Sequence, residues 1–216
     1  MRLLHPLLLP LSSFLLPTAH ASPKTVTITT APPIPSSSPE FVTESLFTSA
    51  ILNSTNFFRA EHNASAVTYN ATLERFAQRY LDSSDNGRDC KLAHSGGPYG
   101  ENLALGCSDA QGCVRLWAAE RDEYDFRKPQ FGEATGHFTQ LVWKNTSAVG
   151  CGRRLCGAKG WYLACEYWPR GNVVGEFGEE VGKQVNGTGS AGVRPAVGVC
   201  VLWVGLVVLG TGGFLW

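Results

Sequence analysis

The sequence has no excess charge of either sign: Lys plus Arg and Asp plus Glu each number 18 in 216 residues. A chain without an overall field lacks the basic footprint on which phosphate backbones dock, so nucleic acid is excluded as the default partner. No internal repeat is visible, which argues for one core rather than a stacked array. The metalloprotease motif H-E-x-x-H is missing, since His62 is followed by Asn63 and His94 by Ser95. The G-x-S-x-G nucleophile elbow is missing too, so neither common hydrolase signature supports an enzyme, and no residue is assigned as catalytic. Charge is also absent from residues 196–216.

What is present at the two ends points to export. Residues 1–21 combine Arg2, a Leu-rich run from Leu3 to Leu16 and the small-residue ending Ala19-His20-Ala21, the pattern of a secretory signal peptide and its cleavage site. The uncharged C-terminal stretch is long enough to cross a bilayer but has no basic cytoplasmic flank. It reads as a glycosylphosphatidylinositol anchor signal at 196–216, with a single membrane span as the alternative. The small-residue spacer 182–195 before it supplies an attachment site, Asn186 for preference, with Gly187 or Ser190 as alternatives. Loss of Arg2 and Arg194 with the ends leaves 16 basic against 18 acidic residues.

Seven cysteines occur, and with Cys200 in the discarded tail six remain: Cys90, Cys107, Cys113, Cys151, Cys156 and Cys165. An even number suits a disulfide framework in an oxidising compartment. Sequons at Asn53, Asn63, Asn70, Asn145 and Asn186 offer N-glycosylation acceptors on a secreted surface. Between residues 22 and 45, 15 of 24 residues are Ser, Thr or Pro, a composition that buries too little apolar surface to order itself and that suits a spacer. One domain is expected over 46–181.

Within it, Leu73, Phe76, Ala77, Tyr80 and Leu81 recur at helical spacing behind a capping Asn70, and 47–62 repeats the pattern less cleanly. A third helix is expected over 114–124. Segments 138–144, 148–154 and 161–168 are short, rich in β-branched and aromatic residues and separated by turn residues, which predicts a three-stranded antiparallel meander. The second hairpin turns near Ala158 and Lys159, placing Cys151 opposite Cys165. Cys107 and Cys113 are near enough to close a small loop, leaving Cys90 for Cys156, one of the many pairings six cysteines allow. Trp143, Trp161, Tyr162 and Tyr167 are expected in or over the sheet core, and Gly171-Asn172 in a turn that ends the last strand. His62 reads as a surface helix position or as part of a cleft rim. Helices before a small sheet imply an α+β layered domain stapled by disulfides.

Two long runs carry a resemblance. Gly136-His137-Phe138-Thr139-Gln140-Leu141-Val142-Trp143 and Tyr162-Leu163-Ala164-Cys165-Glu166-Tyr167-Trp168-Pro169-Arg170-Gly171-Asn172 resemble the signature motifs of the cysteine-rich secretory, antigen 5 and pathogenesis-related class 1 superfamily. Glu61-His62-Asn63, Leu92-Ala93-His94-Ser95 and Gly100-Glu101-Asn102-Leu103-Ala104 support it. The resemblance implies a three-layer α-β-α sandwich around a small antiparallel sheet. It also implies a shallow cleft carrying two histidines and two glutamates, matched here by His94, Glu101, Glu120 and His137, with Glu123 as the rival of Glu120. Imidazoles with carboxylates suit a divalent ion such as Zn or Mg. Glu166 departs from the family, where an amide or other neutral polar residue usually follows the motif cysteine.

In yeast members that this sequence is similar to, an aromatic loop after the third helix is linked to sterol binding. Tyr124, Phe126, Pro129 and Phe131 occupy that position here and could close over a lipid; packing beneath the helix is the alternative. The expectation is a secreted protein on the outer face of the plasma membrane or in the cell wall, held by a lipid anchor. It would bind a sterol or fatty-acid-like ligand without catalysis. The competing classes are a module that contacts cell-wall or host proteins and, with less support, a metal-dependent hydrolase.

Overall fold

Asn70 shows how local chemistry starts an element: its side chain accepts the backbone N–H of Thr72 at 2.8 Å and of Leu73 at 3.3 Å, satisfying donors that the first helical turn leaves orphaned. The computed structural model describes residues 37–83 and 90–185. In chain order the main elements are α1 (Pro39–Val42), α2 (Glu44–Glu61), β1 (Thr68–Tyr69), α3 (Ala71–Asp82), β2 (Gly100–Cys107), α4 (Ala110–Ala119), α5 (Gly136–Leu141), β3 (Ala148–Leu155), β4 (Trp161–Trp168) and α6 (Phe177–Glu180). The signal segment, most of the spacer, Asn186 and the C-terminal anchor segment lie outside the described residues. Among the described residues no helix is long and apolar enough to cross a membrane.

The sheet has four strands in the order β1-β3-β4-β2. β3 and β4 form the expected hairpin, with Cys151 paired to Cys165 in register. The rest of the expected meander is corrected. Its third partner is β2, antiparallel to β4, while β1 adds a short parallel edge to β3. Segment 138–144 is not a strand, because its first part forms α5. The Glu120 carboxylate accepts the N–H groups of His137 and Phe138 at 3.0 and 3.1 Å, so a side chain from elsewhere caps this helix, and its residues are buried without alternation. A continuous apolar run cannot by itself distinguish the two states.

Alternating residues divide the sheet between two helical layers. On one face Tyr162, Ala164 and Leu103 meet Ala77 and Leu81 of α3. The approach is close enough that a Cβ on Gly150 would lie 2.4 Å from the Asn70 carbonyl oxygen, and one on Gly152 2.5 Å from the Gln78 nitrogen. On the other face Leu163, Cys165 and Tyr167 join a larger core with Phe47, Ile51, Val114, Trp117, Phe138 and Trp143. Trp143, Trp161, Tyr162 and Tyr167 are all buried. Helices on both faces make the three-layer arrangement.

The ordered domain begins before residue 46. Phe41, within the expected spacer, is buried and stacks on Trp161 at 4.9 Å, so α1 belongs to the core. The expected third helix is shorter and earlier than 114–124, with a 3-10 turn over Glu120–Glu123 continuing it. Three disulfides join Cys90 to Cys156, Cys107 to Cys113 and Cys151 to Cys165, the pairing expected from the hairpin register and loop lengths.

Candidate functional site

The two histidines and two glutamates form two separate pairs. His94 lies in the segment before β2, and its Nδ1 is 2.6 Å from Glu101 Oε1. The same carboxylate accepts the Ser95 backbone N–H. His137 opens α5, and its Nδ1 is 2.6 Å from Glu120 Oε1. Its ring also stacks on Trp117, with centroids 6.2 Å apart. The 3-10 turn therefore selects Glu120 over Glu123, which is exposed.

A carboxylate that accepts from Nδ1–H fixes the imidazole tautomer and leaves the Nε2 lone pair available to accept a proton or hold a metal ion. Its hydrogen bond to Glu101 raises the pKa of His94 above the usual value of 6.5. Burial pushes Glu101 up, but the hydrogen bonds from His94 and Ser95 more than offset this and hold it below the usual carboxyl value. Among the described residues no three His, Cys, Asp or Glu side chains gather closely enough to hold a metal ion.

An open cleft of about 420 Å³ is lined by His94, Glu101, Tyr99, Gln140, Arg170 and Asn172 among others, but not by Glu120 or His137. Its floor is built by the two long sequence runs clamping each other. Gln140 Oε1 accepts the Gly171 N–H at 2.8 Å. Asn172 donates to the Gly136 carbonyl and accepts from the Thr139 hydroxyl. Asn172 has φ 56°, the left-handed turn conformation that asparagine tolerates, in the turn expected at Gly171-Asn172.

Glu166 faces Glu101 across the β2–β4 register. It is fully buried, and neither carboxyl oxygen has a hydrogen-bond partner in the described structure. Burial first, and then the neighbouring Glu101 carboxylate, push its pKa up to about 9. At neutral pH it is a neutral acid, electrically equivalent to the amide or other neutral polar residue expected at this position.

The loop after α4 is anchored rather than wholly free. Tyr124 is buried, and Phe126 packs edge-on against it at 4.8 Å. Phe126 also lies parallel to the His62 ring at 6.2 Å. His62 is not a surface residue: it is buried, its Nδ1 is 2.8 Å from the Gly182 carbonyl, and burial lowers its pKa. Phe131 is 52% exposed and Pro129 is exposed. Within this loop lies an open hollow of about 310 Å³ lined by Tyr124, Gln130, Phe131 and Thr135 together with the charged Glu123, Asp125, Lys128 and Glu133.

Sequence reasoning also missed Arg59, which is buried and donates to the carbonyls of Ser65, Leu141, Trp143, Lys144 and Thr146. It ties α2 to the turn between α5 and β3. Burial lowers its pKa to about 10. No local pattern distinguishes this arginine from an exposed one on a helix.

A family model described as the cysteine-rich secretory protein family matches residues 52–167, a stretch that holds both His–Glu pairs and all three disulfides. The chain belongs to this family. This CAP domain is similar to Protein PRY2 of Saccharomyces cerevisiae, with 47% identity over 137 residues, covering 62% of this chain and 41% of that protein. It is also similar to Secreted protein RBT4 of Candida albicans, with 39% identity over 139 residues, covering 62% of this chain and 38% of that protein. The matched part is therefore less than half the length of either fungal relative. Among solved structures, the fold is shared with NaASP2 with Zn2+ at a TM-score of 0.50 and 23% identity, over 68% of this chain and 88% of that one.

Proposed function

We propose that this CAP protein is secreted, held at the outer cell surface by a lipid anchor, and binds a sterol or another small hydrophobic ligand without catalysis. The observation that carries the reading is Phe131, an exposed ring on a loop that Tyr124 and Phe126 pin to the core, lining an open hollow of about 310 Å³. Rigid attachment at one end and an apolar tip at the other suit a loop that covers a ligand. Export agrees with the disulfide set and with the name of the Candida relative. A non-catalytic role is supported by the cysteine chemistry. Every described cysteine is in a disulfide, which leaves no free thiol nucleophile among the described residues.

The donor chemistry of His94 and His137 fits a divalent ion, with Glu101 and Glu120 orienting the two imidazoles, and the solved relative crystallised with zinc agrees with this. An ion held by such separated pairs would be bound weakly and would not form a structural metal centre.

Labelled sterol binding to the purified protein tests the main reading. Burying the Phe131 ring contributes about 1.5–3 kcal/mol, so Phe131→Ala should weaken binding about tenfold or more while leaving thermal stability nearly unchanged. Equal affinity for both proteins would remove the loop from ligand binding. A zinc titration without sterol tests the ion separately: the His94→Ala, His137→Ala double variant should abolish the heat, and an unchanged heat would exclude the pairs as ligands.

A further inference from the structure

On the outer side of α2 lies an apolar groove of about 360 Å³ lined by Asn53, Phe57, Phe58, Gln111 and Arg115, with Ser54 at its edge. Phe57 is 60% exposed, and Phe58 meets it edge-on at 5.2 Å. Asn53 and Phe57 are four positions apart on one helix and so lie on the same face. Asn53 begins the tripeptide Asn53-Ser54-Thr55, whose third residue must carry a hydroxyl to be an N-glycosylation acceptor.

Thr55 supplies the second observation. Its side chain is fully buried, and its hydroxyl has no hydrogen-bond partner among the described residues. The neighbouring Ser54 hydroxyl, by contrast, donates to the Ala50 carbonyl, so α2 can satisfy a hydroxyl and does not satisfy this one. A valine would fill the space without an orphaned polar atom. Folding gives no reason for the hydroxyl; glycosyl transfer to the chain before it folds does.

We infer that Asn53 carries an N-linked glycan whose innermost N-acetylglucosamine lies over Phe57 and fills the groove between α2 and α4. The apolar face of the sugar ring covers the aromatic ring, while Gln111 and Arg115 on α4 offer donors to its acetamido carbonyl and hydroxyls. The glycan thereby becomes part of the outer layer of the fold and masks an apolar patch. This inference rests on passage through the secretory pathway, which occupancy of the other sequons would report independently.

The test uses the full chain expressed in a yeast secretory host. Glycopeptide mass spectrometry is combined with hydroxyl-radical footprinting of Phe57 on three forms: intact, trimmed by endoglycosidase H to one N-acetylglucosamine, and fully deglycosylated. Asn53 should be occupied. Phe57 should be equally protected in the first two forms and about twofold more reactive in the third, because one of its two ring faces is then uncovered. Thr55→Val should remove the Asn53 sugar, expose Phe57 to the same extent and leave the protein folded. An unmodified Asn53 beside an occupied Asn63 or Asn145 would overturn the inference and leave secretion intact. If every sequon were bare, both would fail. Equal Phe57 reactivity in all three forms would refute the packing.

Discussion

Glu166→Gln is the substitution in which burial and charge make the most specific demand. The folded carboxyl has a pKa of about 9 against an ordinary value of 4.5. Between those two values the folded state holds a proton that the unfolded state has released. More protons are bound in the native state, so stability falls as pH rises through this window, with a slope approaching about 1.4 kcal/mol per pH unit. At pH 7 the accumulated cost is about 3 kcal/mol, from about 2.5 units at 1.36 kcal/mol each. Coupling to the titration of Glu101 reduces this to about 2–3 kcal/mol.

Glutamine keeps the shape and is neutral at every pH, so it removes the cost. The variant should be more stable than the parent by about 2–3 kcal/mol at pH 7, with a melting temperature about 5–10 °C higher. Near pH 4.5, where the unfolded glutamate is itself becoming protonated, the two should converge. Urea unfolding followed by tryptophan fluorescence, with disulfides intact, measures this between pH 4.5 and 8. Only the difference between the two proteins is used, because His62 acts in the opposite sense. Its lowered pKa contributes stability above the usual value of 6.5 that is lost as pH falls, and this cancels in the subtraction. Parallel curves for parent and variant would refute a buried, protonated Glu166.

Two further substitutions probe the frame. Arg59→Met should cost about 3–5 kcal/mol in chemical denaturation, because the carbonyls of Leu141, Trp143 and Thr146 lose a buried donor. Arg59→Lys should recover only a minor part, since an ammonium cannot reproduce the planar fork. Asn70→Ala should lower stability by about 1 kcal/mol through loss of the α3 cap. Asn70→Ser, which also abolishes the sequon, should retain most of it, and thermal melts of unglycosylated protein separate the two.

How much of this was legible in the sequence depends on where each residue finds its partner. Helix α3 could be read because its cap, Asn70, and its apolar stripe lie within one continuous segment. The β3–β4 hairpin could be read because its turn fixes the register that brings Cys151 to Cys165. Helix α5 could not, because the group that caps its first turn is the carboxylate of Glu120, delivered by another element. Strand β2 carries Gly100, Asn102, Ala104 and Gly106, a composition poor in strand formers, and pairing with β4 overrides it.

The candidate site follows the same rule. The two histidines and two glutamates were recognisable from sequence runs, but their division into two pairs, only one of them on the cleft, depends on which carboxylate each imidazole meets. His62 looked like a surface position because the groups that cover it, Phe126, Phe138 and the Gly182 carbonyl, come from remote segments. Glu166 looked like a charged departure from the family pattern. Burial in the sheet, and then apposition to Glu101, make it a neutral acid instead. A side chain's type was thus available from one dimension, whereas its protonation and its role were set by neighbours that only the folded chain supplies.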